Sequence, residues 1–168
     1  MRRAQGTIHV FTFKDGVLSA VAHDLRIRVE RFDITLAGDQ VRAEIDLRSL
    51  HVDGPIEDGV LQEKKYDAGK RADVEKAMHG DVLHTEKNPK AIFTGVAAPS
   101  AAGFDVSGEL ELGGTTAPLS FAVGAEGATY RAEFELQPSR WRISQYKALL
   151  GAIKLKDMIR IQLALSEA

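Results

Sequence analysis

"GELELGGTTAPLSFAV", residues 108–123, holds a complete hairpin. Leu110 and Leu112 alternate with Glu109 and Glu111, Gly113-Gly114-Thr115-Thr116 turns the chain, and Leu119, Phe121 and Val123 alternate with Ser120 and Ala122. A period of two sends successive side chains to opposite faces, so this is a β-hairpin with one apolar and one wet face. The glycines suit the turn, where positive φ is cheap only without a Cβ. An apolar face must be covered, and two coverings are open. Facing strands can fill the space with side chains, or the face can be the wall of a container.

The same pattern spreads outward in both directions. Strands are expected at about 91–98, 103–112, 116–124, 128–137 and 157–166, the last with Ile159, Ile161, Leu163 and Leu165 on one side. Near the start, "GTIHVFTFK" (6–14) alternates, with Ile8 and Val10 competing against Phe11 and Phe13 for the inner face. "DGVLSAVA" (15–22) reads as a turn or a short helical piece. In "HDLRIRVERFDITLAGD", Leu25, Ile27 and Val29 share a face, and Phe32, Ile34 and Leu36 continue it after a slip of one residue. One extra residue near Glu30-Arg31 is the mark of a β-bulge. Gly38-Asp39 then closes a hairpin onto "VRAEIDL" (41–47), with Val41, Ala43, Ile45 and Leu47 inside.

Residues 50–90 show no sustained alternation. "KRADVEKAMHGDVL" instead places Val74, Ala77, Met78 and Val82 on one face of a helix, with Lys70, Arg71, Asp73, Glu75 and Lys76 on the wet face. Eight strands joined mostly by tight turns predict a mainly β, meandering antiparallel sheet that closes on itself, because closure removes exposed edges. The expected fold is an eight-stranded extended barrel with a helical insertion around residues 55–84, formed by residues 1–168 as a single domain. At eight strands, side chains either fill the lumen or leave room for one ligand.

Composition is that of an ordinary globular chain: 168 residues, 44% hydrophobic, 27% charged, net charge −2 and no cysteine. Disulfides and thiolate metal sites are excluded, and nothing in the overall charge points to nucleic acid. "MRRAQGTIHVFTFKDG" has two arginines with no apolar stretch behind them, and no segment is long and apolar enough for a membrane-spanning helix, so a cytoplasmic protein is expected.

Five pieces, in order, resemble one family. Gly108-x-Leu110-x-Leu112-x-Gly114-x-Thr116-x-Pro118-Leu119 is similar to the "G-x-L-x-(I/L)-x-G-x-T-x-P" hairpin of the YceI-like family. "RVERFDITL" resembles its second strand, "AEIDLRSLHV" its exit into a helical arm, "NPKAIF" the return from that arm, and "DMIRIQLAL" its last strand. The resemblance implies a lipocalin-like barrel whose lumen holds a long amphipathic molecule, such as a polyisoprenoid or isoprenoid quinone, and whose members are often periplasmic and dimeric. This chain departs from the pattern in the expected absence of a leader, in its long charged arm, and in "SRWRI" (139–143), where relatives often have an acidic residue, an aromatic and a glycine.

The expected lumen residues are Leu25, Ile27, Ile45, Phe93, Val106, Leu110, Phe121, Phe134, Trp141 and Ile161. From Arg140 to Arg160 there are six bases against Asp157, flanking the apolar run "ALLGAI" (148–153). His23, Arg142, Lys147 and Lys154 are therefore the expected head-group residues at a basic mouth. The partner implied is an amphipathic isoprenoid-like lipid, with a homodimer possible, and no cofactor beyond a bound lipid is expected.

An enzyme is not expected. Ser19, His23 and Asp24 include a nucleophile, a base and an acid, but adjacent strand residues point to opposite faces, so Asp24 cannot orient His23. No G-x-S-x-G elbow occurs. A hydrogen bond that fixes the turn after residues 15–22 is the better use for His23. His79 and His84 are five apart and do not share a helix face, so no metal site is expected. The alternatives are an enzyme acting on a lipid-like substrate and a ligand-free interaction module with a filled core.

Overall fold

The computed structural model describes residues 1–15, 23–148 and 153–168. The expected piece at 15–22 apart from Asp15, including Ser19, and residues 149–152 of the apolar run lie outside the described residues.

Among the described residues there are twelve strand segments: β1 (Arg2–Lys14), β2 (Asp24–Val29), β3 (Phe32–Ala37), β4 (Gln40–Asp46), β5 (Leu50–Glu57), β6 (Val60–Leu61), β7 (Lys90–Ser100), β8 (Gly103–Leu112), β9 (Thr115–Glu126), β10 (Thr129–Leu136), β11 (Lys147–Ala148) and β12 (Ile153–Glu167). One edge of β1 pairs with β12, from Ala4 opposite Glu167 to Lys14 opposite Leu155. The other edge is shared, since Arg2–Ala4 pair with β3 and His9–Thr12 pair with β2. Thus β2 and β3 are halves of one strand, bent where Glu30-Arg31 was read as a bulge. A 3-10 turn at Leu47–Ser49 likewise joins β4 to β5. Counted this way, the chain forms a closed antiparallel barrel of eight strands, as the alternation predicts.

The competition in β1 is settled in favour of Ile8 and Val10, which face inward. Phe13 lies outside, its ring 5.3 Å from the Arg160 guanidinium, a contact that shields an exposed aromatic face.

The insertion is helical over a shorter stretch than expected. Leu50–Glu57 is a strand, and β6 pairs back onto it. It escapes a period-two reading because Leu50 and Val52–Pro55 are all buried, and a strand covered on both faces does not alternate. The helical part is a 3-10 turn at Glu63–Lys65, helix α1 (Ala68–Ala77) and a wider turn at Met78–Val82. Asp67 caps α1, accepting from the Lys70 amide at 2.8 Å. Val74, Met78 and Val82 pack on the core as the helical period requires. Glu75 and Arg71 are not merely solvated. Glu75 accepts from the Val52 amide at 2.9 Å, and Arg71 donates to the Glu63 carbonyl at 2.8 Å. Glu75 thereby supplies a partner to a backbone amide of the irregular strand, and Arg71 ties α1 to the 3-10 turn before it.

The joint between β4 and β5 is held by Asp46 and Ser49. Asp46 accepts from the Arg48 amide at 3.0 Å, and the Arg48 and Arg31 guanidiniums lie 3.0 and 2.9 Å from its oxygens. The hydrogen bond from Arg48, aided by Arg31, keeps this carboxyl well below the usual carboxylate range. The fully buried Ser49 hydroxyl donates to the Asp46 carbonyl at 2.7 Å and accepts from the Arg31 amide at 2.9 Å.

Candidate functional site: the barrel lumen

The inward stripe does not meet at the axis. Ile45, Phe121, Phe134 and Ile161 point inward yet are only half-buried, which a filled core would not allow. With their neighbours they enclose a cavity of about 410 Å³, within the roughly 300–1,000 Å³ span of small-molecule sites. Of the two coverings left open by the sequence, the hairpin at 108–123 therefore forms a wall.

Nine of the ten expected lumen residues line this cavity: Ile27, Ile45, Phe93, Val106, Leu110, Phe121, Phe134, Trp141 and Ile161. Leu25 does not. The β2–β5 register slips between Arg26 and Ile27, so Leu25 lies beyond the slip, opposite Pro55, and is buried there instead.

Part of the lumen's width comes from two glycines. Gly95 and Gly108 face each other across β7 and β8. A Cβ on either would fall 2.8 or 2.9 Å from Phe93 Cζ, so the Phe93 ring lies along the wall over the glycines. Phe93 meets Phe121 at 5.9 Å between ring centroids, and Phe121 stacks on Phe134 at 4.1 Å. The three rings form an aromatic row across β7, β9 and β10.

The two ends of the cavity differ. At one end Met78, Val82, Leu83, Trp141 and Ile143 form a floor. Trp141 is 1% exposed, and its Nε1 donates to the Leu110 carbonyl at 2.7 Å. Thr12 also lies at this end, and its hydroxyl has no partner among the described residues. At the other end the lining residues become exposed. There Arg2, Tyr130 and Glu167 continue the inward parity of β1, β10 and β12 past the last apolar positions. Arg2 Nη1 lies 2.6 Å from Glu167 Oε1, and the Tyr130 hydroxyl donates to the same oxygen at 2.9 Å. That bond to Glu167 pushes the Tyr130 hydroxyl pKa up. Arg3, also on the rim, lies 3.7 Å from Asp33. Glu167 and Ile159 are eight residues apart on β12, so at about 3.3 Å per residue this stretch of wall runs roughly 26 Å along the strand.

None of the four expected head-group residues lines the lumen. The 3-10 turn Pro138–Trp141 ends at Arg142 with φ +60°, a turn that leaves Trp141 buried inside and Arg142 exposed. Arg142 and Lys147 instead border a shallow surface depression with Ser139 and Asp157, where Asp157 already accepts from the Ser139 amide at 2.9 Å. Lys154 lies 3.3 Å from Asp15. His23 stands edge-on to Tyr66 at 5.9 Å. Next to it Asp24 accepts from the Lys14 amide at 2.8 Å, and the turn that His23 was expected to fix lies outside the described residues. His79 holds the arm through Nε2, 3.0 Å from the Leu50 carbonyl, and Nδ1, 3.2 Å from the Thr85 hydroxyl.

The polar end was missed because Arg2 and Glu167 were not read as part of the stripes they extend. Counting parity outward from Ile8 and Leu165 would have found both.

The model of the YceI-like domain family matches residues 4–166. No curated protein matches the chain. Among solved structures, BcnA of Burkholderia cenocepacia superposes with a TM-score of 0.65 at 16% identity, over 96% of this chain and 95% of that one. A polyisoprenoid binding domain from Saccharophagus degradans, implicated in plant cell wall breakdown, gives 0.62 at 11% identity over 96% and 92%. The YceI protein of Campylobacter jejuni gives 0.56 at 12% identity over 84% and 82%. At these identities the superpositions speak for the fold alone.

Proposed function

Since the chain belongs to the YceI-like domain family, we propose that it carries one elongated amphipathic lipid, an isoprenoid or isoprenoid quinone, held non-covalently in the barrel lumen. The observation that carries this is the hollow stripe: inward-facing apolar side chains lining an open cavity of about 410 Å³. The hydrophobic effect supplies the binding. Each buried CH₂ is worth about 0.8 kcal/mol, so a long chain binds tightly with few polar contacts even after the costs of association. The relative from Saccharophagus degradans, described as a polyisoprenoid binding domain, supports the same ligand class.

The test is native mass spectrometry of the protein purified from its own host, followed by organic extraction. A stoichiometric lipid that disappears in Phe121→Asp, with the barrel still folded by circular dichroism, is the expected result. Protein that is clean on purification, and stays clean after incubation with isoprenoid alcohols and quinones, would remove the carrier function.

A further inference from the structure

Resting on lumen binding, we propose that the guest lies with its tail toward Trp141 and its head at Arg2, Tyr130 and Glu167, and that this end selects an uncharged, oxygen-bearing head over an anionic one. Among the described residues, the charged side chains that reach the cavity are at this end. The three residues named come from three neighbouring strands, β10, β12 and β1, so their polar tips converge. They are also charge-balanced. Arg2 is matched by Glu167 at 2.6 Å, and Arg3 has Asp33 at 3.7 Å. An anionic head would have to compete with Glu167 for Arg2. An uncharged oxygen would not, because a guanidinium has five N–H donors and Glu167 takes one through Nη1. The bases Arg142, Lys147 and Lys154 are off the lumen. The opposite orientation would set a head against the Thr12 hydroxyl on an apolar floor.

The chain has a single tryptophan, which makes the floor a depth gauge. The probes are a long-chain alcohol and the carboxylate of the same chain, each brominated either at the tail end or beside the head, titrated at neutral pH while Trp141 fluorescence is read. The expected result is strong quenching by tail-brominated probes, weak quenching by head-brominated ones, and an alcohol bound at least about tenfold more tightly than the carboxylate. Glu167→Gln frees Arg2 and should raise carboxylate affinity about tenfold, whereas Arg2→Gln leaves an unmatched carboxylate and should lower it. Stronger quenching from the head-brominated probes would overturn the orientation. Equal affinities in the wild type, or no gain in Glu167→Gln, would overturn the selection by charge. If none of the probes quenches saturably, lumen binding itself fails, an outcome distinct from probes that bind the wrong way round.

Discussion

The two halves of the barrel are built from the same alternation and held by different means. From Lys90 to Leu136, four strands run hairpin to hairpin with no register slip, joined by two-residue turns. At Gly113-Gly114 both φ angles are positive, +60° and +80°, as a type I′ hairpin requires. From Arg2 to Glu57 the wall is broken by a shared edge on β1, a bulge, a 3-10 joint and a slip at Asp53. There buried polar side chains take over. Asp53, 8% exposed, receives Arg26 Nε at 2.7 Å and Arg28 Nη1 at 2.8 Å, while Asp46 and Ser49 tie the joint. Where hairpins suffice, packing and turn glycines define the wall. Where the chain must bend, specific polar contacts do.

This contrast has measurable consequences in chemical denaturation. The largest falls at the floor beneath the regular half. Trp141→Ala should cost about 3–5 kcal/mol, the range for deleting a buried aromatic, and should also open the closed end to solvent. Next is Asp53→Ala in the irregular half, which strands two guanidiniums. Breaking a buried ion pair costs roughly 3–5 kcal/mol, and the partial exposure of Arg28 lowers the expectation to about 2.5 kcal/mol. Glu109→Ala on the wet face of the regular half should change stability by less than about 0.5 kcal/mol. Equal effects for Asp53 and Glu109 would erase the distinction between the halves.

Gly108→Ala should destabilise the regular half by about 2 kcal/mol, within the range for overpacking. Its Cβ would fall 2.2 Å from the Thr94 carbonyl oxygen and 2.9 Å from the Phe93 ring. A displaced Phe93 narrows the lumen, so affinity for bulky branched chains should drop more than for thin unbranched ones. Asp46→Asn removes the charge at the joint and should cost about 1 kcal/mol, the usual value of a cap.

The acid limb of the stability curve separates the smallest effects. His9 is held below its ordinary pKa, first by burial and then by Arg26, and Asp46 is held low by Arg48 and Arg31. In both cases the unfolded chain binds the proton more tightly, so stability falls as pH drops. The His9 contribution goes first, below about 6.5, and that of Asp46 follows below about 3.8. His9→Gln should flatten the first decline and Asp46→Asn the second, as read from melting temperature against pH.

The regular half was almost fully legible in the sequence because each strand has one wet face, so alternation alone sets both register and side. The bulge at Glu30-Arg31 was legible for the same reason, as a slip in phase. β5 was not, since its residues from Val52 to Pro55 are buried without alternating. The hollowness of the lumen was not legible either. Period two says which way Phe121 points and nothing about what lies opposite. The expected basic mouth lies off the lumen, and parity along β1 and β12, not a local excess of base, is what carries charged side chains to the cavity's rim. Arg142 and Lys147 are neighbours of the barrel in sequence, but the left-handed turn at Arg142 leaves its side chain exposed between Trp141 and Ile143, which line the floor.

The seam that closes the barrel sets a kinetic consequence. It pairs Ala4 with Glu167, so almost the entire chain must be looped before the first and last strands can meet. Contacts of such sequence separation make folding slow, on the scale of milliseconds to seconds. Until the seam forms, β1 and β12 each offer a bare edge to any neighbouring chain. Refolding yield should therefore depend more steeply on protein concentration than final stability does, and the open sheet, with its apolar inner face unrolled, is the state in which this protein is most exposed to aggregation.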